Sequence, residues 1–508
     1  MAKTKDLTQG SVWKLLLVFA FPTLLSNVFQ QFYNLADTAI AGHILGDNAL
    51  VAIGASSTIN SLVLSFAWGL NGGFGIIIAQ CFGAKDFKRL KKSVAISLVI
   101  NAAFSVAVLF ASVFFSKPML KLLNTPSARL DEANSYIVVI LACIIVPMLY
   151  NLEAVILRSL GDSKTPLYFL IFSSILNVVL DYVFIKFTNM GVMGAAVATV
   201  LAQLLSVIFC FVVILKNFKV IRLKKDDFKF SSSLFKNMMG AGMTMAVMNS
   251  IFSIGSIIMQ GSINALGDDI IAAHLGSRKV AEMFMQPLVT IGTACSTFVG
   301  QNYGAGKIKR IKSSIKYSTL YSLIWSVFTF FVLWFFGGQI ARLVTGSASQ
   351  TVFENTQLYL RVNAPFYFVL GLLFTLRFSI QSVDRKAPPI ISSTMELASK
   401  IAAAYLFIPL WGYFGACIAE PLSWTLGAIY LLFVFKKEFE GLIILNLKKR
   451  QNDSRGENES KSSLQSLTRK EIKNPSEKKI RRIFVFLCEI IINAKFQQFV
   501  FYNSRTHL

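Results

Sequence analysis

Six carboxylates interrupt the apolar stretches of this 508-residue chain: Asp37, Glu153, Asp181, Glu282, Glu396 and Glu420. At bilayer depth a charged side chain costs at least about 2.5–3.5 kcal/mol, so each needs a reason to be there. Asp37 and Asp181 are the pair best suited to chemistry. Asp37 lies six residues before His43 and Asp181 five before Lys186, so two helices running the same way would hold them at one depth. Asn177 precedes Asp181 by one helical turn on the same face. Thr199 enters at that level from the following apolar stretch. Two carboxylates, an amide and a hydroxyl make an oxygen-rich cage for a hard cation such as sodium. Without a cation the acids would take up or share protons, because burial and like charge both disfavour two ionised carboxylates. The plainer alternative is an aspartate hydrogen-bonded between helices.

The remaining ionisable residues read differently. Glu396 and Lys400 are one turn apart and are expected to neutralise each other as a structural ion pair, with direct substrate contact as the alternative. Glu153, Glu282 and Glu420 have no evident local partner. Arg361 and Arg377 sit near the ends of one apolar stretch and can snorkel. His274 lies at a stretch edge and receives no role. The methionines of residues 238–285 could suit a surface that repacks around varied ligands, or simply pack.

These residues need helices to position them. The chain is 54% hydrophobic and 15% charged, with apolar residues in long runs rather than in the periodic pattern of a soluble core. A span takes about 20 such residues, and unpaired backbone groups in lipid force them into helices. Twelve spans are expected: 13–41, 50–80, 93–115, 133–158, 166–186, 191–215, 237–263, 272–300, 314–337, 355–380, 388–409 and 412–435. The net charge of +24 would suggest nucleic acid for a soluble protein. Here Lys and Arg concentrate in every second connector, as in Lys85 to Lys92, Lys216 to Lys236 and Lys307 to Lys316. That alternation gives topology instead, with both termini cytoplasmic and no nucleic-acid partner. The six cysteines lack metal-ligand spacing and read as free thiols. No cleavable signal peptide is evident.

Residues 45–97 align without gaps on 266–318: Gln80, Gly83 and Ala84 meet Gln301, Gly304 and Ala305. Each repeat holds six spans, so the halves enter the membrane in the same direction, a transporter plan with the binding site between them. The coupling residues are not duplicated, since Ile258 stands opposite Asp37, and Lys400 and Ala404 opposite Asn177 and Asp181. The expected organisation is a six-helix unit over 1–216, a basic linker over 217–236, a second six-helix unit over 237–440 and a charged tail over 441–508. The tail reads as disordered apart from an interfacial basic helix over 480–502.

Energy must come from elsewhere than nucleotide. Gly300 to Lys307 superficially imitates a phosphate-binding loop, but its spacing is one residue too long and no Ser or Thr follows. No catalytic constellation is present, so an enzyme is not expected, no cofactor is implied, and an ion gradient remains.

Gln31 to Thr38, Asn177 to Asp181 and Val299 to Gly306, on a duplicated frame, resemble the multidrug and toxic compound extrusion family over roughly residues 8–440. The resemblance implies an all-α integral membrane protein of two parallel six-helix repeats forming a V-shaped pair of lobes. It implies antiport of amphipathic, often cationic, drugs against protons or sodium across the plasma (inner) membrane, by a monomer in the lipid bilayer. Asp37, Asn177, Asp181 and Thr199, with Ala195 beside them, match the first-lobe cation site of the branch resembling the DNA-damage-inducible members. Pro22 matches a proline at which the first helix is proposed to bend. The substrate cavity is expected to include Gln30, Tyr33, Asn34, Ser174, Glu153 and Glu282. The seventh-span acid of another branch is missing, since Ile251 to Gly261 is uncharged. A lipid-linked saccharide flippase is the first alternative, a membrane scaffold or enzyme the second.

Overall fold

A computed structural model describes residues 5–454 apart from 46, 123–129, 189, 191 and 347–348. Side chains are additionally left undescribed at 32–39, 41–53, 55, 57, 58, 122, 132, 345, 438–440 and 442–454. The chain divides into units of residues 1–439 and 440–508, and the candidate sites all belong to the first. The expected tail helix over 480–502 and Cys488 lie outside the described residues.

The protein is all-helical. Its first half comprises α1 (Val12–Leu45), α2 (Asp47–Gly83), α3 (Phe87–Leu122), α4 (Leu130–Ala142), α5 (Ile145–Ser159), α6 (Lys164–Phe187) and α7 (Val192–Asn217). The second comprises α8 (Ser232–Asn264), α9 (Asp268–Gly304), α10 (Ile308–Thr345), α11 (Gln350–Asn363), α12 (Tyr367–Ser382), α13 (Ala387–Ala402), α14 (Ile408–Trp411) and α15 (Tyr413–Ser454).

Among the described residues, ten segments are long and apolar enough to cross a membrane, and the bent pair α4–α5 makes eleven. The eleventh expected span, 388–409, is not among them as a single α-helix. It is α13, a π-turn over Ala403–Phe407 and α14, helical without interruption from Ala387 to Trp411; the π-turn divides it, leaving α13 alone with 16 residues. Proline chemistry explains the breaks. Pro147 cannot donate to the Cys143 carbonyl, and α4 and α5 meet at 47° there. Pro365 lies in the 3₁₀ turn between α11 and α12, and Pro409 follows the π-turn. Helix α6 starts by capping: Asp162 Oδ1 accepts from the backbone N–H of Lys164 (3.0 Å) and Thr165 (3.1 Å).

The two halves meet along a seam of α2 against α8 and α9. Small residues allow it. A Cβ on Gly69 would come within 2.6 Å of Ala246 Cα, and one on Gly73 within 2.3 Å of the Ala241 carbonyl oxygen. Farther along, Gly83 faces the Gln301 carbonyl (1.9 Å from a Cβ there) and Gly304 faces the Gln80 carbonyl (2.0 Å). Gly83 and Gly304 are repeat partners, as are Gln80 and Gln301. The contact is therefore reciprocal, as a two-fold relation between repeats requires. Asn249 Nδ2 donates to the Ser65 carbonyl (3.0 Å) and Gln80 Nε2 to that of Ser382 (2.9 Å).

At the end bearing the basic connectors, the N-terminal segment straps the seam. Lys5 N–H donates to the Leu160 carbonyl (3.2 Å). Gly161 there has φ +84° and no room for a Cβ, 2.1 Å from the Lys5 carbonyl oxygen. Leu7 N–H donates to Gln301 Oε1 (3.0 Å), whose Nε2 donates to the Ser159 carbonyl (2.8 Å). Arg310 donates to the carbonyls of Leu7 (2.9 Å) and Gly10 (2.7 Å), and Lys307 to that of Thr8 (2.9 Å). Burial pushes the Asp6 carboxyl up, but the Thr8 hydroxyl and backbone N–H, with Lys307 and Lys85 beyond, outweigh it and hold it below its ordinary value.

The seam makes a prediction. Gly73→Ala forces backbones apart and should cost about 1–3 kcal/mol, read as a lowered melting temperature of purified protein. Gly261→Ala, which meets nothing within 4 Å, should leave it unchanged.

Candidate functional site

Asp181 and Asn177 are both fully buried, at 0% exposure, on the face of α6 turned toward its neighbours. Helix α6 packs between α1 and α7. Asn177 Nδ2 donates to Thr199 Oγ1 on α7 at 3.3 Å, and Ala195 is buried one turn before Thr199. Asp181 lies six residues from the end of α6 and Thr199 seven from the start of α7, so both are about 10 Å from the same end of the bundle. The backbone of residue 37 belongs to α1. The side chains of Asp37, Tyr33 and Asn34 lie outside the described residues. Of the expected coupling set, the structure thus brings together Asn177, Asp181, Thr199 and Ala195. The group offers carboxylate, amide and hydroxyl oxygens.

Pro22 is buried within a helix that continues through it. The carbonyls of Phe19 and Pro22 accept from Thr23 Oγ1 (3.1 Å) and Ser26 Oγ (2.9 Å). Gln30 is partly buried in α1. Ser174 is also partly buried and turns its hydroxyl back to the Leu170 carbonyl (2.8 Å). Glu153 is buried on α5 beside Cys210 of α7, inside the first half, and its Oε2 has no hydrogen-bond partner. The described cysteines are all free.

The expected pair of Glu396 with Lys400 does not form. Glu396 pairs with Arg377 and also accepts from Ser392 Oγ (3.3 Å). Arg377 is therefore not snorkelling at a helix end but 93% buried, because α12 restarts after the turn at Pro365 and directs it at α13. Lys400 Nζ instead lies 2.9 Å from Glu420 Oε1 on α15 and 4.5 Å from the Phe252 ring centre. The same Glu420 oxygen takes Arg278 Nη1 (3.0 Å), and Arg278 Nη2 reaches Glu282 (3.1 Å). His274 is buried between the rings of Tyr359 and Tyr413, with Nδ1 3.4 Å from the Tyr413 hydroxyl. A scan for buried carboxylates alone passes over Arg278, although its four-residue spacing to Glu282 is in the sequence. Glu282 lines a cavity with Arg278, His274, Tyr359 and Glu420, all of the second half.

The family model MatE matches residues 22–183 and again 244–406, once in each repeat. The chain is 31% identical over 378 residues to the probable multidrug resistance protein YpnP of Bacillus subtilis, covering 74% of this chain and 83% of that one. It is 25% identical over 413 residues to the probable multidrug resistance protein NorM of Thermotoga maritima, covering 80% and 88%. A crystal structure of MATE in the bent conformation superimposes with a TM-score of 0.82 at 20% identity, covering 87% of this chain and all of that one. This last likeness speaks for the fold alone.

The ion pairing makes a prediction. Arg377→Met strands a buried carboxylate and should cost about 3–5 kcal/mol, largely recovered by adding Glu396→Met. Lys400→Met should cost less, because Glu420 keeps Arg278. Thermal unfolding of the purified variants reads both.

Proposed function

We propose an export cycle that starts from the family: the chain belongs to the multidrug and toxic compound extrusion family of membrane transporters, as a multi-pass protein of the plasma membrane and not an enzyme. Its relatives' names speak of multidrug resistance, and drug-like small molecules are its substrates. In our reading, residues 1–216 and 237–440 act as two lobes joined by the linker 217–236, with both termini cytoplasmic. Amphipathic, often cationic, compounds enter between the lobes and leave on the outer side in exchange for protons or sodium. This is the chemistry of the branch resembling the DNA-damage-inducible members.

The observation that carries the reading is the burial of Asp181 with Asn177, one turn away and hydrogen-bonded to Thr199. A buried carboxylate flanked by an amide and a hydroxyl binds a proton or a small hard cation far better than a bulky organic one. Asp37 is proposed as its partner across α1. The ion drives transport only if the two states of the transporter bind it with different affinity, so the cage must differ between them. Movement of α1, with Pro22 as the hinge, would do this, because α1 packs against α6 on one side and α9 on the other. Asn27 Nδ2 of α1 donates to Thr290 Oγ1 of α9 at 2.9 Å, which ties α1 to the opposite half. The seam between the halves is packed at the end bearing the basic connectors. With those connectors cytoplasmic, this is the state sealed toward the cytoplasm.

Asp181→Asn should abolish drug resistance in cells and drug efflux from everted vesicles while membrane insertion is retained. Wild-type resistance in that variant would contradict the reading. Imposing pH or sodium gradients on the wild-type vesicles identifies the ion.

A further inference from the structure

The second half holds a partly open cavity of about 250 Å³ whose lining includes Gln260, His274, Arg278, Glu282, Tyr359 and Glu420. Arg278 and the exposed Lys279 line it with Glu282 and Glu420, and Lys400 stands behind Glu420. Cationic side chains thus outnumber carboxylates three to two, a set that attracts an anion.

Arg278 is where an anion would bind. Its two carboxylate partners are unlike. Glu420 is 90% buried and held by Lys400 as well, so it is fixed. Glu282 is 56% exposed and reaches Arg278 from one turn along the same helix. Such half-solvated pairs at helical spacing are weak. The Nη2 edge of Arg278 is thus held by a replaceable partner, and a guanidinium fork fits a carboxylate or sulfonate. Tyr359, Leu275 and Met259 supply apolar wall beside it. The volume is a little below that of drug-sized ligand pockets, about 300–1,000 Å³. It suits an anionic group on a ring, with the rest of the molecule outside.

We propose that this cavity is an anion subsite. Arg278 receives the carboxylate or sulfonate of a zwitterionic or acidic amphiphile, which displaces Glu282. The inference rests on the export reading and assigns a place in it to the second-half cavity.

Rhodamine B, which carries a free carboxylate, and its ethyl ester share one ring system and separate the two claims. Their binding to the full chain in phosphatidylcholine nanodiscs is read by fluorescence anisotropy, with no anionic lipid present to compete. Arg278→Gln should weaken the acid by about tenfold or more and change the ester less than twofold. Lys400 still neutralises Glu420 in that variant, and ester binding reports that it is folded. Glu282→Gln should tighten the acid by about threefold, since it removes the competing carboxylate. Equal weakening of acid and ester by Arg278→Gln would overturn the subsite, as would acid binding that Glu282→Gln leaves unchanged or lowers. If the ester binds and is exported while the acid is indifferent to Arg278, the subsite fails and the export reading stands. If neither dye binds the wild type, the export reading fails and the subsite with it.

Discussion

Charge burial in a low-dielectric slab is the constraint from which the rest of this structure follows. Each half answers it differently. Apart from Lys14, Lys164, Lys186 and Lys216, each within three residues of a helix end, α1, α6 and α7 contain no Lys or Arg, and the described polar groups near Asp181 include an amide and a hydroxyl. The second half carries its own cations: Arg377 meets Glu396, while Arg278 and Lys400 converge on Glu420. A duplicated frame has thus become chemically asymmetric. In the proposed reading one half offers a carboxylate site that a mobile ion can complete, while the other builds ion pairs in which Arg and Lys side chains play that part.

The same slab explains the seam. Without water to squeeze out, helices in lipid gain by close van der Waals approach, which small residues permit. Gly69, Gly73, Gly83 and Gly304 bring backbone against backbone where α2 meets α8 and α9. The reciprocal approach of Gly83 and Gly304 lies where the chain leaves the apolar region, and the strap of residues 5–10 covers that end. Side-chain hydrogen bonds across the seam are few and mostly to backbone carbonyls, so it can separate without stranding buried charge. In the proposed export cycle, that property would let this face open.

Much of this was legible in the residues. Long apolar runs and their intervening basic connectors marked the helices, and the repeat placed Gln80 and Gly83 opposite Gln301 and Gly304. Asn177 was grouped with Asp181 by helical spacing, and Thr199 joined them by its depth in the next apolar stretch. Tertiary pairing was not legible. Glu396 and Lys400 sit one turn apart, the spacing at which local pairs form, yet each found a partner from another helix. Spacing along one helix cannot reveal that Arg377 on α12 and Glu420 on α15 approach α13. The break of the eleventh expected span into α13, a π-turn and α14 was foreshadowed by Pro409, but hydropathy averaged over the stretch concealed it.

The most direct test of the central claim is ion exchange at the first-half site on drug binding. Purified protein in a weakly buffered solution with a pH indicator, or loaded with radioactive sodium, is mixed with a cationic drug. The account predicts release of a proton or a sodium ion as the drug binds, abolished by Asp181→Asn while the drug still binds. Drug binding that releases neither ion from the wild type, or release that persists in the variant, would contradict it.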